Sequence, residues 1–209
     1  MIKVLIVDDH AIVRRGLREI LVDEPDMAVF EAGDAETAAE LIRTEQWDLI
    51  VLDLDLPGKS GLQLLEELKR DPKPPPILVL SVYSEEQFAL RTLRAGAAGF
   101  LSKDAAPTDL VAAIRNILTG RKHISQRVAE LLLVRNSDEE NANLHEKLSD
   151  REFQILCCFG RGETVSSIAR HLNLSVPTVS TYRSRILEKT GMKTTAELIR
   201  YAVRHGLVS

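Results

Sequence analysis

Leu49-Ile50-Val51-Leu52-Asp53-Leu54-Asp55-Leu56-Pro57-Gly58 is a run of apolar residues that first breaks on an acid and then closes on a turn signal. A run without polar alternation is what a strand buried on both faces of a parallel sheet requires. Residues 49–54 are therefore read as a strand, and the amphipathic stretch 62–69 as the helix covering it. The same unit recurs on either side. Ile2–Val7 precedes a helix over Ala11–Val22 that turns Ile12, Leu17, Ile20 and Leu21 inward. Met27–Ala32 precedes a helix over Ala35–Thr44 with Ala38, Leu41 and Ile42 on one face. Ile77–Ser81 pairs with a helix over Glu85–Ala95, and a strand over 99–101 with a helix over 108–118. Five such units in about 120 residues imply an α/β fold with a doubly wound, five-stranded parallel sheet rather than an eight-stranded barrel.

Past residue 120 the pattern breaks. Residues 125–135 allow a helix around Val128, Leu131 and Leu132. Asn136-Ser137-Asp138-Glu139-Glu140-Asn141-Ala142-Asn143 is nearly without apolar anchors, as a tether requires. The remainder contains only helical patterns. Ser149-Asp150-Arg151-Glu152 is a capping box, and the helix behind it presents Phe153, Ile155, Leu156 and Phe159. A short helix over 165–172 meets the turn Asn173-Leu174-Ser175. A third runs from Pro177 to Gly191, and Thr194 opens a fourth that stops at Gly206. Two helices joined by so tight a turn form a helix-turn-helix. The expected division is a domain over 1–120, a linker with a helix over 121–147, and an all-α four-helix domain over 148–209.

Composition excludes several classes. With 44% hydrophobic and 28% charged residues the chain is neither disordered nor membrane-embedded. No apolar run approaches the roughly 18–20 residues that span a bilayer. Met1 to Val7 runs straight into Asp8 and Asp9, unlike a signal peptide, so a cytoplasmic protein without a membrane partner is expected. Cys157 and Cys158 are adjacent, lack zinc-site spacing and read as buried thiols. The net charge of −4 is divided: residues 1–147 hold 18 Lys+Arg against 26 Asp+Glu, whereas 148–209 hold 9 against 5. An acidic front and a basic back suggest different partners, the second a polyanion.

Parallel sheets place their chemistry at the carboxyl ends of the strands. Those ends carry Asp8 and Asp9, Asp53, Ser81 and Lys103. Three carboxylates this close repel one another unless a cation compensates, and all-oxygen donors favour a hard ion such as Mg²⁺. A carboxylate at such a centre can attack a phosphoryl group. Lys103 is suited to pair with a phosphate oxygen, and Ser81 to hydrogen-bond it. Gly58-Lys59-Ser60 is not a phosphate loop, because the motif's first Gly would fall on Asp53.

Taken together, Val7-Asp8-Asp9-His10, Leu52-Asp53-Leu54-Asp55-Leu56-Pro57-Gly58, Ser81 and Gly99-Phe100-Leu101-Ser102-Lys103 resemble the receiver domain of bacterial response regulators, with its flavodoxin-like fold, over residues 1–118. The resemblance implies that Asp53 is the phosphoacceptor, served by a histidine kinase. It implies that Asp8, Asp9, Asp53 and the backbone carbonyl of Asp55 hold Mg²⁺. Ser81 and Lys103 would read the acyl phosphate, with Phe100 reorienting alongside Ser81. Val82 stands where many receivers have Ala or Gly, which bears on access to Asp53.

On the third C-terminal helix, Val179, Tyr182, Ile186 and Leu187 share the buried side. Thr178, Ser180, Thr181, Ser184 and Arg185 face outward, where a helix in the major groove would read bases. Arg183, Arg185 and Lys189 are in reach of phosphates. Leu148-Ser149-Asp150-Arg151-Glu152, Gly162, Ile168-Ala169, and Thr178-Val179-Ser180 through Arg185-Ile186-Leu187-Glu188-Lys189 resemble the LuxR-type (FixJ- or NarL-type) DNA-binding domain. Ser180 and Ser184 replace a Lys found in some relatives. The resemblance implies DNA as partner and a homodimer, formed on phosphorylation or on DNA, through the last helix. There Leu198, Ile199, Ala202 and Val203 form a stripe that intradomain packing would equally explain. The expected function is a phosphorylation-dependent transcriptional regulator of a two-component system, not primarily an enzyme. Two alternatives stand beside it. One is a receiver-like interaction module that controls DNA binding without phosphate. The other is an aspartyl-phosphate phosphatase, suggested by Asp53-Leu54-Asp55 but opposed by Pro57.

Overall fold

The computed structural model describes residues 1–82, 85–105, 107–126, 128–130 and 144–208. The chain divides into two compact units, Met1–Leu133 and Val134–Ser209. Among the described residues no helix is long and apolar enough to cross a membrane.

The first unit alternates β1 (Ile2–Val7), α1 (Ala11–Val22), β2 (Met27–Ala32), α2 (Ala35–Thr44), β3 (Leu49–Leu52), α3 (Gly61–Leu68), β4 (Ile77–Ser81), α4 (Glu85–Ala95), β5 (Gly99–Ser102) and α5 (Pro107–Leu118). The five strands form one parallel sheet in the order β2-β1-β3-β4-β5. All four residues of β3 and all five of β4 are buried, as strands covered on both faces must be. The order reverses between β1 and β3, and a crevice opens at the carboxyl ends of strands flanking such a reversal.

Three expectations need correction. The third strand stops at Leu52, so Asp53 is the first residue beyond it, although its N–H still donates to the Val7 carbonyl at 2.8 Å. Ile12 is 89% exposed, while Leu17 and Leu21 are buried. At about 100° per residue, Ile12 lies roughly 140° around the helix from Leu17. The residues after 120 do not leave the sheet at once, because His123 bridges Gly99 beside β5. Within the helix expected over 125–135, Gln126 and 128–130 are helical, and Val128 is fully buried. Residues 131–143, including the polar tether, lie outside the described residues.

The second unit contains a 3-10 turn (Leu144–Lys147) and the helices α6 (Asp150–Gly160), α7 (Val165–His171), α8 (Val176–Thr190) and α9 (Thr195–Arg204). Each of the four helices begins with a hydroxyl cap: Ser149, Thr164, Ser175 and Thr194 accept from Glu152, Ser167, Thr178 and Glu197 N–H groups. The turn between α7 and α8 places Asn173 at φ +50°, a left-handed conformation that Asn tolerates. Phe153, Ile155, Leu156, Phe159, Ile168, Val179, Ile186, Leu198 and Ala202 form the interior. Leu198 and Ala202 are thus core residues, whereas Val203 stays 58% exposed.

Candidate functional site

At the sheet reversal the chain brings together the acids read from the strand ends. Asp8 and Asp53 are 1% and 2% exposed, and Asp55 and Ser81 are buried beside them. Lys103 enters from just past β5, its N–H donating to the Ser81 carbonyl at 2.9 Å. Its ammonium lies 2.7 Å from Asp53 Oδ2 and 2.7 Å from Asp8 Oδ2. Asp53 Oδ1 is buried and has no hydrogen-bond partner among the described residues. Phe100 is buried at 1% exposure, and Val82 is exposed.

The electrostatics are unbalanced. Burial pushes the Asp53 carboxyl up to about 7, against the pull of Lys103 and with the repulsion of Asp55 and Asp8 added. Burial works against the Lys103 ammonium too, but Asp53 and Asp8 outweigh it and raise its pKa. Asp8 Oδ1 also accepts from the His10 N–H at 2.7 Å, yet the shared Lys103 ammonium leaves Asp53 Oδ1 without a hydrogen bond among the described residues. The oxygen donors and the orphaned Asp53 Oδ1 therefore fit a hard divalent cation.

Two contributors were not assigned from the sequence. His10, the residue preceding α1, has ligand-type atoms within 4.8 Å of those of Asp8, Asp9 and Asp53, and its Nδ1 lies 2.6 Å from Asp9 Oδ1. Its adjacency to Asp9 was the available signal. Gly61 opens α3, capped by Ser60 and Gln63 in a capping box. A Cβ at Gly61 would stand 1.9 Å from the Asp53 carbonyl oxygen. No sequence pattern announces so close an approach.

In the second unit, Thr181, Ser184 and Arg185 of α8 are exposed, while Thr178, Ser180 and Arg183 are half-buried. The Thr181 and Ser184 hydroxyls donate to the carbonyls of Pro177 and Ser180, at 3.0 and 3.1 Å. Arg183 Nε donates to Thr195 Oγ1 at 2.8 Å. Lys189 Nζ lies 2.6 Å from the buried Glu152 carboxylate, which also accepts from the Ser149 N–H at 2.7 Å. Burial works to raise the Glu152 carboxyl, but Lys189 and Ser149 prevail and hold it below its ordinary value. The structure thus commits Lys189 to an ion pair inside its own unit, and Arg185 is the freer cation.

An acidic crevice on a doubly wound sheet and a separate capped helix-turn-helix define a two-part signalling regulator, and the chain belongs to the response regulators. Residues 4–115 match the response regulator receiver domain, and residues 146–202 match the luxR family of bacterial regulatory proteins. Response regulator UvrY of Escherichia coli K12 is 38% identical over 99% of this chain and 96% of its own length. Response regulator GacA of Pseudomonas aeruginosa is 37% identical over 100% of this chain and 98% of its own. Among solved structures, RcsB of Salmonella enterica serovar Typhimurium, bound to promoter rprA in the presence of phosphomimetic BeF3⁻, is 26% identical with a TM-score of 0.64. That match covers 96% of this chain and 98% of RcsB. The chain is a two-component response regulator with a LuxR-type DNA-binding domain.

Proposed function

We propose that Asp53 accepts a phosphoryl group from a histidine kinase and that the acyl phosphate governs binding of DNA by α8. The observation that carries this reading is the Asp53 carboxylate itself, buried, with Lys103 at 2.7 Å on one oxygen and no hydrogen-bond partner on the other among the described residues. The free Oδ1 forms the new O–P bond while the P–N bond of the kinase phosphohistidine breaks. Lys103 and the Ser81 hydroxyl hold the phosphate oxygens, and Phe100 repacks behind Ser81. Asp8, Asp9, Asp53 and the Asp55 carbonyl hold Mg²⁺, which when bound neutralises phosphate charge.

On DNA, Thr178, Ser180, Thr181 and Ser184 face the bases. Arg183, Arg185 and Lys189 approach the phosphates, Lys189 at the expense of its Glu152 pair. A mostly hydroxylic reading face carries limited specificity per subunit, so a homodimer on two half-sites is required. Exposed Val203 on α9 lies on the pairing surface. The receiver domain extends past residue 120 to include His123 and Val128, and the DNA-binding domain takes in the turn at Leu144–Lys147.

The test compares wild type with Asp53→Asn by gel filtration and DNA binding, each with Mg²⁺ and acetyl phosphate. Wild type alone should form acid-labile phosphate, dimerise and gain DNA affinity. Acid-labile phosphate on Asp53→Asn would overturn the acceptor assignment. Equal DNA binding by both proteins, unaffected by acetyl phosphate, would make the receiver a phosphate-independent interaction module.

A further inference from the structure

Cys158, Glu163 and His171 are scattered in sequence, and each is ordinary alone. The fold gathers them. Gly162, at φ +80°, turns the chain back after α6, and the Glu163 N–H donates to the Cys158 carbonyl at 3.1 Å. His171, the last residue of α7, then meets Glu163 with Nδ1 3.2 Å from Oε2. The thiol, carboxylate and imidazole ligand atoms all lie within 4.8 Å of one another. Cys158 is fully buried and Glu163 half-buried, while His171 stands at the surface.

We propose that these three side chains form a binding site for a borderline-soft divalent transition metal ion such as Zn²⁺. The donor set differs in kind from the all-oxygen crevice of the first unit. Sulfur and imidazole nitrogen select zinc-like ions over Mg²⁺. A tetrahedral zinc ion with bonds of about 2.0–2.3 Å places its ligand atoms roughly 3.3–3.8 Å apart. No pair therefore has to close by more than about 1.5 Å to complete the geometry, and the surface-facing His171 can supply it. The position already attracts positive charge. The Arg161 guanidinium donates to Cys158 Sγ at 3.2 Å and pairs with Glu163 at 3.2 Å, and a bound ion takes over that role. Cys158 lies in the last turn of α6 and His171 ends α7, so both stand where helix carbonyl dipoles favour a cation. Binding converts the Cys158 thiol to a thiolate and releases its proton. The ion then ties the carboxyl end of α6 to that of α7, the helix that leads through Asn173 into α8. The site bears on the rigidity of the helix-turn-helix, and it does not depend on Asp53.

The test uses the full chain, kept reduced and in excess Mg²⁺ so that the acidic crevice is saturated, titrated with Co²⁺ and then Zn²⁺. Expected is a sulfur-to-cobalt charge-transfer band that saturates at one ion per chain and disappears as Zn²⁺ displaces Co²⁺. Cys157→Ser should keep the band, Cys158→Ser should lose it, and His171→Ala should weaken binding by more than about tenfold. Should Cys158→Ser not fold, His171→Ala decides from its surface position. Absence of the band in wild type, its persistence in Cys158→Ser, its loss in Cys157→Ser, or undiminished affinity in His171→Ala would each overturn the site.

Discussion

Replacing Asp53 with Asn removes a charge from the acidic crevice while keeping the shape and an acceptor for Lys103. Its carboxyl moves from 3.8 to about 7 on folding, so the native state binds a proton that the unfolded state has lost. At about 1.36 kcal/mol per unit, that shift corresponds to roughly 4 kcal/mol. The folded pKa lies above the unfolded one. Wild-type stability is therefore fully present below about pH 4 and is lost as pH rises toward about 7. Asn does not titrate, so Asp53→Asn should be the more stable protein at about pH 8 in EDTA, by up to roughly 4 kcal/mol, with the gap closing toward about pH 4. The readout is available without dissecting the chain. Trp47 is the one tryptophan, and it is buried against Phe30 in the first unit. Its fluorescence during urea unfolding reports on the receiver alone. Added Mg²⁺ should stabilise wild type more than the variant and narrow the gap. An Asn variant no more stable than wild type at about pH 8, with a gap independent of pH, would refute the claim that Asp53 is held under electrostatic strain.

Gly61→Ala should destabilise the receiver by about 1–3 kcal/mol and slow phosphorylation by acetyl phosphate, because the new methyl meets the Asp53 carbonyl; Trp47 unfolding curves and acid-labile phosphate check both. Arg185→Ala should weaken DNA binding and lower the slope of log K against log salt by about one, with an unchanged melting temperature. Lys189→Met should weaken DNA binding too, but also cost the second unit about 1–2 kcal/mol by stranding the buried Glu152 carboxylate. Its calorimetric unfolding therefore separates it from Arg185→Ala. Glu152 has a depressed pKa, so its stabilisation is present above the ordinary glutamate value and lost as pH falls through its own lower value. Circular dichroism across that acid range should show wild type converging on Glu152→Gln.

The sheet was legible because its central strands are covered on both faces. Leu49–Leu52 and Ile77–Leu80 had to be written as continuous apolar runs, and Asp53 and Ser81, which follow them, fall at the candidate site. Asp53 could be placed to within one residue for that reason. Ile12 was misread because one apolar residue in a first turn satisfies a loose periodicity without reaching the sheet. His123 and Val128 were assigned to a linker because a single bridge to Gly99 leaves no period in the sequence. Contacts across long separations were also hidden. The face of α8 could be drawn from helical spacing, but not the carboxylate 37 residues away that holds Lys189. Cys158, Glu163 and His171 follow no familiar ligand spacing, because the loop at Gly162 brings them together.

The energy available at Asp53 bears on how a signal can leave the crevice. Asp8, Asp53 and Asp55 are each less than a tenth exposed, and Lys103 must answer at least two of them. Phosphorylation of Asp53, as proposed, would replace one carboxylate charge with the about 1.5–2 charges of a phosphate, a net gain of about one at most. On that reading the charge calls for a cation and for donors from the ends of β4 and β5, where Ser81 and Lys103 stand. A minor state at a few percent becomes dominant with about 3–5 kcal/mol of differential stabilisation. The strain worked out for the Asp53 carboxylate is of that same order. Burial contributes more of that strain than repulsion does, so a cation and inward-moving donors would supply only part of the population shift, and new charge-assisted bonds to the phosphate the rest. The second unit then needs to contribute no more than a surface that distinguishes the two states.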